Sequence, residues 1–423
     1  MKTAIIYDKW LSGMGGGEVV ACNMARVLKD DGYRVIFACG KIISTQEIKD
    51  KLGIDLSDIE FKIVQDEQSL KQLTVNYPST KLRASKLSTI NLFINISFMD
   101  YSYGIGKRNI YYVHFPSKIR SGLFNYVLQF FQKTNLHLLL PGSLKERVND
   151  RLCAGIYPDM KKGLDSYDTF ITHSEYVNKW TRKLWNKDAH ILYPPVNLID
   201  SRFRGNDGIL SSSGLTRGSK NNWIVSIGRF FTLGHGKKQE IMIEAFKRLT
   251  EAVKESEGRG TASVKNGWQL HLVGGVGNEP SSLRFIKKLQ EQAKGYPIYF
   301  HFNATRQEVE EILLKSKIYW HAGGYGEDAE HDPIKFEHFG IAPIEAISAG
   351  CIPILYDGGG LPEIIHLLHF KKTNLFQTVT ELISNTLHYL DENTDNNKLL
   401  KGDLEKYFSS ESFKRRFKQL VYE

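Results

Sequence analysis

The sequence predicts an α/β protein built from two doubly wound, Rossmann-like domains in series. Three observations predict it. Apolar strand-length runs alternate with amphipathic helical stretches in both halves of the chain. A length of 423 residues is too great for one core and suits two domains of about 200 residues each. A Gly-, Ser- and Asn-rich stretch, residues 201–222, lies between the halves and has no sustained periodicity.

In the first half, Thr3–Tyr7 reads as a buried strand, Gly13–Gly17 as a glycine loop and Glu18–Leu28 as a helix ending near Gly32. Arg34–Ala38 is the next buried strand, which completes a βαβ unit. Further strands are expected at Leu92–Ile96, Asn109–Val113, Thr169–Thr172 and His190–Tyr193. In the second half the expected strands are Trp223–Ile227, Gln269–Val273, Ile298–Phe302, Ile318–His321 and Ile352–Tyr356. Helices are expected at Gln239–Thr250, Ser281–Ala293, Gln307–Ser316 and Pro343–Ala349, with Thr305 and Glu308 as a capping box. The domains are therefore 1–200 and 223–400, joined by 201–222, with a helical tail at 401–423 that can cross back to the first domain. A second polar stretch, Ser256–Gly267, reads as an insertion.

Composition narrows the function classes. A hydrophobic share of 41% with 12% aromatic residues is ordinary for a globular chain. The four cysteines, Cys22, Cys39, Cys153 and Cys351, form no CxxC pair, which argues against a zinc site and fits a reducing compartment. The apolar run at the N-terminus stops at Asp8, too short for a signal peptide, and no run approaches the roughly 20 residues of a membrane span. A cytoplasmic protein is expected, with room for peripheral contact with the inner face of a membrane. The net charge of +9 suits phosphorylated ligands or an anionic membrane surface. No nucleic-acid-binding signature accompanies it, so nucleic acid is not an expected partner.

Several residues stand where chemistry is expected. The loop Gly13–Gly17 follows a strand and opens a helix, so its N–H groups can meet an anion, although a tight turn needs glycine too. It lacks GxGxxG spacing because Glu18 takes the third-glycine position, and no acidic residue ends the second strand; both weigh against a nicotinamide dehydrogenase. His114 follows the strand ending at Val113, where it can bond a sugar or phosphate or be a satisfied core histidine. Arg229, just after a strand, and Lys237, eight residues later, offer two cations for a pyrophosphate leaving group, as any surface loop could. Gly228 and Gly234 let backbone approach a ligand there. In Lys335–Pro353, Glu337 lies in a loop and Glu345 just inside a short helix, where it can hold a ribose while nearby N–H groups face phosphate. The bland alternative is a helix-capping Glu345 and a solvated Glu337.

These residues resemble the GT-B retaining glycosyltransferases of family 4, nearest a branch that includes the mannosyltransferases of lipid-linked oligosaccharides. The most specific piece is E-x7-E, Glu337 to Glu345, within EHFGIAPIEAISAG. GGGE at Gly15–Glu18, YVHFP at Tyr112–Pro116, YPPV at Tyr193–Val196, GRFF at Gly228–Phe231 with Lys237, HLVGG at His271–Gly275 and the loop Gly358–Glu363 support it. The resemblance spans nearly the whole chain apart from the two polar insertions and part of the tail.

It implies a GT-B fold with two domains facing a central cleft, a GDP-, UDP- or ADP-sugar donor bound mainly by the C-terminal domain, and a glycan or lipid-linked acceptor bound mainly by the N-terminal one. Transfer of a hexose such as mannose, with retention, is implied. Arg229 and Lys237 would contact pyrophosphate, Glu337 the donor sugar, Glu345 the ribose, and His114 the reacting sugar and its phosphate. Gly16, Gly340 and Ile341 would line the nucleotide-sugar site. No cofactor and no metal are implied. Two departures stand out: the interval between Arg229 and Lys237 is long, with Lys238 an adjacent competitor for the pyrophosphate role, and the loop before Glu337 is long and acidic (Glu327, Asp328, Glu330, Asp332), which reads as solvated rather than metal-binding. A silent nucleotide-sugar-binding subunit and a GT-B epimerase are the rival readings.

Two surface expectations complete the reading. Ile119–Arg151 mixes aromatic and basic residues suited to anionic lipid, or equally to a core helix with a basic face. Residues 203–220 are expected to be dispensable, since a longer loop adds only about 0.6 kcal/mol per doubling.

Overall fold

The computed structural model describes residues 1–75, 90–119, 160–199, 220–231, 236–258, 267–277, 279–391 and 397–422. Cys153, most of Ile119–Arg151, the stretch 203–219 and Gly234 lie outside the described residues. The chain forms two compact units: Met1–Pro195 with Phe413–Glu423, and Val196–Ser412.

The first unit contains β1 (Thr3–Asp8), α1 (Gly16–Asp30), β2 (Arg34–Cys39), α2 (Thr45–Leu52), β3 (Glu60–Ile63), α3 (Glu67–Val75), β4 (Leu92–Asn95) and β5 (Arg108–Val113). After these come α4 (Met160–Asp165), β6 (Thr169–Thr172), α5 (Glu175–Trp185) and β7 (His190–Ile191). The strands form one parallel sheet in the order β3-β2-β1-β4-β5-β6-β7. The order reverses between β1 and β4, and at such a switch point the carboxyl ends of the strands leave a crevice for ligand.

The second unit contains β8 (Asn221–Ile227), α6 (Gln239–Gly258), β9 (Gln269–Gly274), α7 (Pro280–Ala293), β10 (Ile298–Phe302), α8 (Arg306–Lys315) and β11 (Ser316–His321). It continues with α9 (Ile341–Ser348), β12 (Ile352–Tyr356), α10 (Leu361–Leu367), β13 (Leu375–Phe376), α11 (Val379–Asp391) and α12 (Asn397–Phe408). Its parallel sheet runs β10-β9-β8-β11-β12-β13, with the switch between β8 and β11. The last helix, α13 (Ser410–Tyr422), contributes its residues from Phe413 onward to the first unit.

The α/β doubly wound class is observed, with shifted element ends. The glycine loop is shorter than expected: α1 already starts at Gly16, because the Glu18 carboxylate takes the Gly15 N–H at 2.6 Å and caps the helix early. The first helix of the second unit runs on to Gly258. Thr305 and Glu308 form the expected capping box, the Thr305 N–H reaching Glu308 Oε2 at 2.7 Å. The sheet-edge strands β3 and β13 had no counterpart in the sequence reading. The first is polar and half-exposed and the second is two residues long, so neither carries an apolar run.

Each unit has its own core. In the first, Val20, Met24 and Leu28 of α1 pack with Phe37, Ile94 and Ile110 and with Phe413, Phe417 and Val421 of α13. In the second, Phe246, Leu270, Ile318, Trp320 and Ile354 are fully buried. His114 and His321 stand where strands end, one in each unit.

Candidate active site

In the second unit, the loop after β8 is fastened before any ligand is considered. The Gly228 N–H donates to the Val273 carbonyl at 2.9 Å, and the Gln239 amide holds the Gly228 and Arg229 carbonyls at 3.3 and 3.1 Å. A Cβ on Gly228 would run into the Lys237 side chain. The missing side chain at this position thus admits the Lys237 stem.

That stem carries the Lys237 ammonium onto Glu337 Oε2, and the same oxygen receives His321 Nε2 at 2.8 Å. Lys237 and Glu337 are each 14% exposed and His321 is 2% exposed. Burial lowers the His321 pKa against the pull of the Glu337 hydrogen bond, so the ring is neutral and donates Nε2–H to the carboxylate. The Glu337 carbonyl accepts the Gly360 N–H at 2.8 Å, which fixes its backbone to the Gly358–Glu363 loop. Three elements therefore set this carboxylate: the end of β11, the loop after β8 and the turn after β12. All lie at the carboxyl edge of the sheet, two of them at the switch point.

The neighbouring charges sort cleanly. Lys238, the neighbour that could compete for the pyrophosphate role, pairs with Glu327 at 2.5 Å. Lys335 reaches Glu327 and Asp332, each at 3.0 Å. Asp328 takes the N–H groups of Glu330 and His331 at 2.8 and 3.0 Å. The acidic loop is thus internally bonded rather than merely solvated. Among the described residues no group of three or more His, Cys, Asp or Glu side chains could hold a metal ion.

Arg229 is exposed, its guanidinium 4.8 Å from the Phe231 ring centroid. Glu345 sits one turn into α9, behind Gly340, which caps that helix in the left-handed region (φ 112°), and Ile341, its first residue. Its Oε1 accepts from Arg306 Nη1 at 2.6 Å, and Arg306 also holds Glu310 at 2.8 Å. Burial raises the Glu345 pKa and the Arg306 charge opposes the rise. Glu345 is accordingly neither a helix cap nor a partner of Lys237. The structure brings Lys237 and Glu337 together and gives Glu345 its own cation.

In the first unit, His114 Nε2 lies 2.6 Å from the Ile96 carbonyl at the end of β4. Burial pushes its pKa down to about 4, so the neutral ring donates Nε2–H and keeps Nδ1 as an acceptor. A Cβ on Gly17 would lie 2.5 Å from His114 Cε1, so the glycine motif and the histidine motif are one packing unit. Gly16 opens α1 beside it. Asp8, at the end of β1, is buried, and burial followed by repulsion from Glu18 pushes its pKa up to about 8.

Sequence reasoning missed His321 and Arg306. His321 carried the same signal as His114, a histidine where a buried strand ends. Arg306 carried none, because its partner lies 39 residues away.

Residues 212–397 match the family model described as Glycosyl transferases group 1. The chain is 21% identical to the GDP-Man:Man(3)GlcNAc(2)-PP-Dol alpha-1,2-mannosyltransferase of Dictyostelium discoideum, over 97% of this chain and 82% of that protein. It is 24% identical to the Xenopus tropicalis enzyme of the same name, over 85% and 73%. Among solved structures, a glycosyltransferase from Rickettsia africae ESF-5 superimposes with a TM-score of 0.62 at 13% identity, covering 100% of this chain and 99% of that one. Anabaena Alr3699/HepE in complex with UDP gives 0.59 at 13% identity, covering 100% and 99%. The fold is the GT-B fold of these solved structures, and the matched segment resembles the group 1 glycosyl transferases. Within that class the chain resembles the mannosyltransferases of lipid-linked oligosaccharides. No helix among the described residues is long and apolar enough to cross a membrane.

Proposed function

We propose that this chain moves a hexose, mannose, from a nucleoside diphosphate sugar to a lipid-linked glycan with retention of configuration. The observation that carries the reading is the Lys237–Glu337–His321 cluster at the switch point of the C-terminal sheet. A carboxylate held by a lysine and a neutral histidine is fixed in direction, as a group that positions sugar hydroxyls must be. Lys237 has further N–H donors beyond the one on Glu337, and with Arg229 it stabilises the charge developing on a departing diphosphate. Glu345 takes the ribose, its carboxylate oriented by Arg306, with Gly340 and Ile341 at the helix start beside it. In the N-terminal unit, His114 offers Nδ1 to a hydroxyl, and Gly16 opens the neighbouring helix. The relatives are named for a GDP-mannose donor and a dolichol-linked glycan, which supports the choice of sugar and acceptor. An anionic membrane surface then suits the peripheral placement that such an acceptor requires.

Thermal shift with GDP, UDP, ADP and their sugars tests the donor: a true ligand at a hundredfold excess over Kd stabilises by about 2.7 kcal/mol. Two variants test the roles. Glu345→Gln should weaken free nucleotide and donor alike by about 10- to 150-fold, the worth of a hydrogen bond to a charged group. Glu337→Gln should leave nucleoside diphosphate binding equal or tighter, because Lys237 is released from its carboxylate, while kcat falls. Equal loss of free-nucleotide affinity in both variants, by calorimetry, would overturn the assignment. The anomeric configuration of the product, read by NMR, decides retention.

A further inference from the structure

The switch point of the N-terminal sheet carries a feature that the donor chemistry leaves unused. Trp10, just beyond β1, and Phe98, just beyond β4, are large aromatic side chains left 46% and 40% exposed. They are held, not loose. The indole Nε1–H donates to the Phe98 carbonyl at 3.3 Å, the Lys9 N–H to Ser97 Oγ at 3.2 Å, and the Trp10 N–H to Asp8 Oδ1 at 3.0 Å. Met99 beside Phe98 and Met14 beyond Trp10 both adopt left-handed backbone, with φ of 54° and 48°. A side chain longer than Asn rarely does so without a reason, and such outliers gather at ligand sites. The Phe98 ring meets His114 edge-on at 6.0 Å, and Lys9 Nζ lies 5.7 Å from the indole centroid.

We propose that Trp10 and Phe98 form a sugar-binding platform for the glycan acceptor, an inference that rests on the glycosyltransferase reading above. A pyranose ring presents C–H groups on one face and hydroxyls around its rim. The aromatic pair fits the face, while the Lys9 ammonium and the acceptor nitrogen of His114 fit the rim. The position at the β1/β4 switch is where a doubly wound sheet binds its ligand.

The test uses the full chain and the Man(3)GlcNAc(2) glycan freed of its lipid as probe. Trp10→Ala and Phe98→Ala should each weaken glycan binding roughly three- to tenfold, the scale of one aromatic contact. Trp10→Phe should retain most of the affinity, and GDP affinity and Tm should stay at the wild-type values. The platform is overturned if the wild type does not bind the glycan or if the alanine variants bind it like the wild type. Equal loss of GDP affinity would point to base stacking, and loss of binding to anionic vesicles with glycan binding intact would point to lipid; either overturns it. GDP-mannose hydrolysis by the same preparation separates the two readings. If hydrolysis persists when the platform fails, only the platform falls; if it is absent, the wider reading falls as well.

Discussion

At the scale of single residues, burial decides the charge states. Asp8 is 2% exposed, and its Oδ1 accepts the Trp10 N–H. With an ordinary value of 3.8 and a folded value near 8, the native state binds a proton that the unfolded chain has released. Its contribution to stability is fully present below pH 3.8 and is lost as the pH rises through about 8. Asp8→Asn keeps the acceptor oxygen for Trp10 and removes this loss. The variant should therefore melt above the wild type by a margin that widens from pH 5 to pH 8. That margin grows by up to about 1.4 kcal/mol per pH unit. A margin that stays constant across this range, in thermal melts, would show that Asp8 ionises freely in the fold. His114 works in the opposite sense: its depressed value means that stability is lost as the pH falls from 6.5 towards about 4.

At the scale of elements, the start of α1 is set by a competition that the sequence does not display. Exchanging a helical glycine for alanine stabilises a helix by about 0.5–1 kcal/mol. At Gly17 the new methyl would press on His114, a ring already tied to the Ile96 carbonyl at 2.6 Å and so unable to retreat. Overpacking of this kind costs about 1–3 kcal/mol, which exceeds the helix gain. Gly17→Ala should lower Tm, and turnover should fall with it because His114 moves. An increase in Tm would mean that the ring yields freely. The sequence showed GGGE and YVHFP as separate motifs. Only the packing of α1 against the ends of β4 and β5 makes them one.

At the scale of the whole molecule, the chain ends in the unit where it began. Phe413, Phe417 and Val421 are buried in the first unit's core, and Lys418 pairs with Asp31 of that unit. The Arg108 guanidinium holds the Leu420 and Val421 carbonyls at 2.9 and 2.8 Å, closing the last turn of α13. Phe417→Ala should cost about 3–5 kcal/mol, the usual loss for a fully buried phenyl ring. Hydrogen exchange should then rise in α1 and β5 and stay unchanged in β8, β11 and β12. Equal loosening of both units would show that their stabilities are inseparable.

The strands of both sheets, the Glu337–Glu345 spacing and the cations Arg229 and Lys237 were legible in the sequence, because each depends on neighbours within a few positions. Apolar runs mark buried parallel strands wherever they occur, and glycines mark turns. The edge strands β3 and β13 escaped because the first is polar and half-exposed and the second is two residues long, which removes the apolar signature. The partners escaped for a different reason. His321 on Glu337, Arg306 on Glu345 and the indole of Trp10 on the Phe98 carbonyl join positions 16, 39 and 88 residues apart. Pairing at such distances is fixed by the order of strands in the sheet, and local composition carries no record of that order. The sequence by itself determined the α/β class and which side chains would stand at strand ends. Tertiary structure alone decided which of them meet, and so which carboxylate is held by a neutral histidine and which by an arginine.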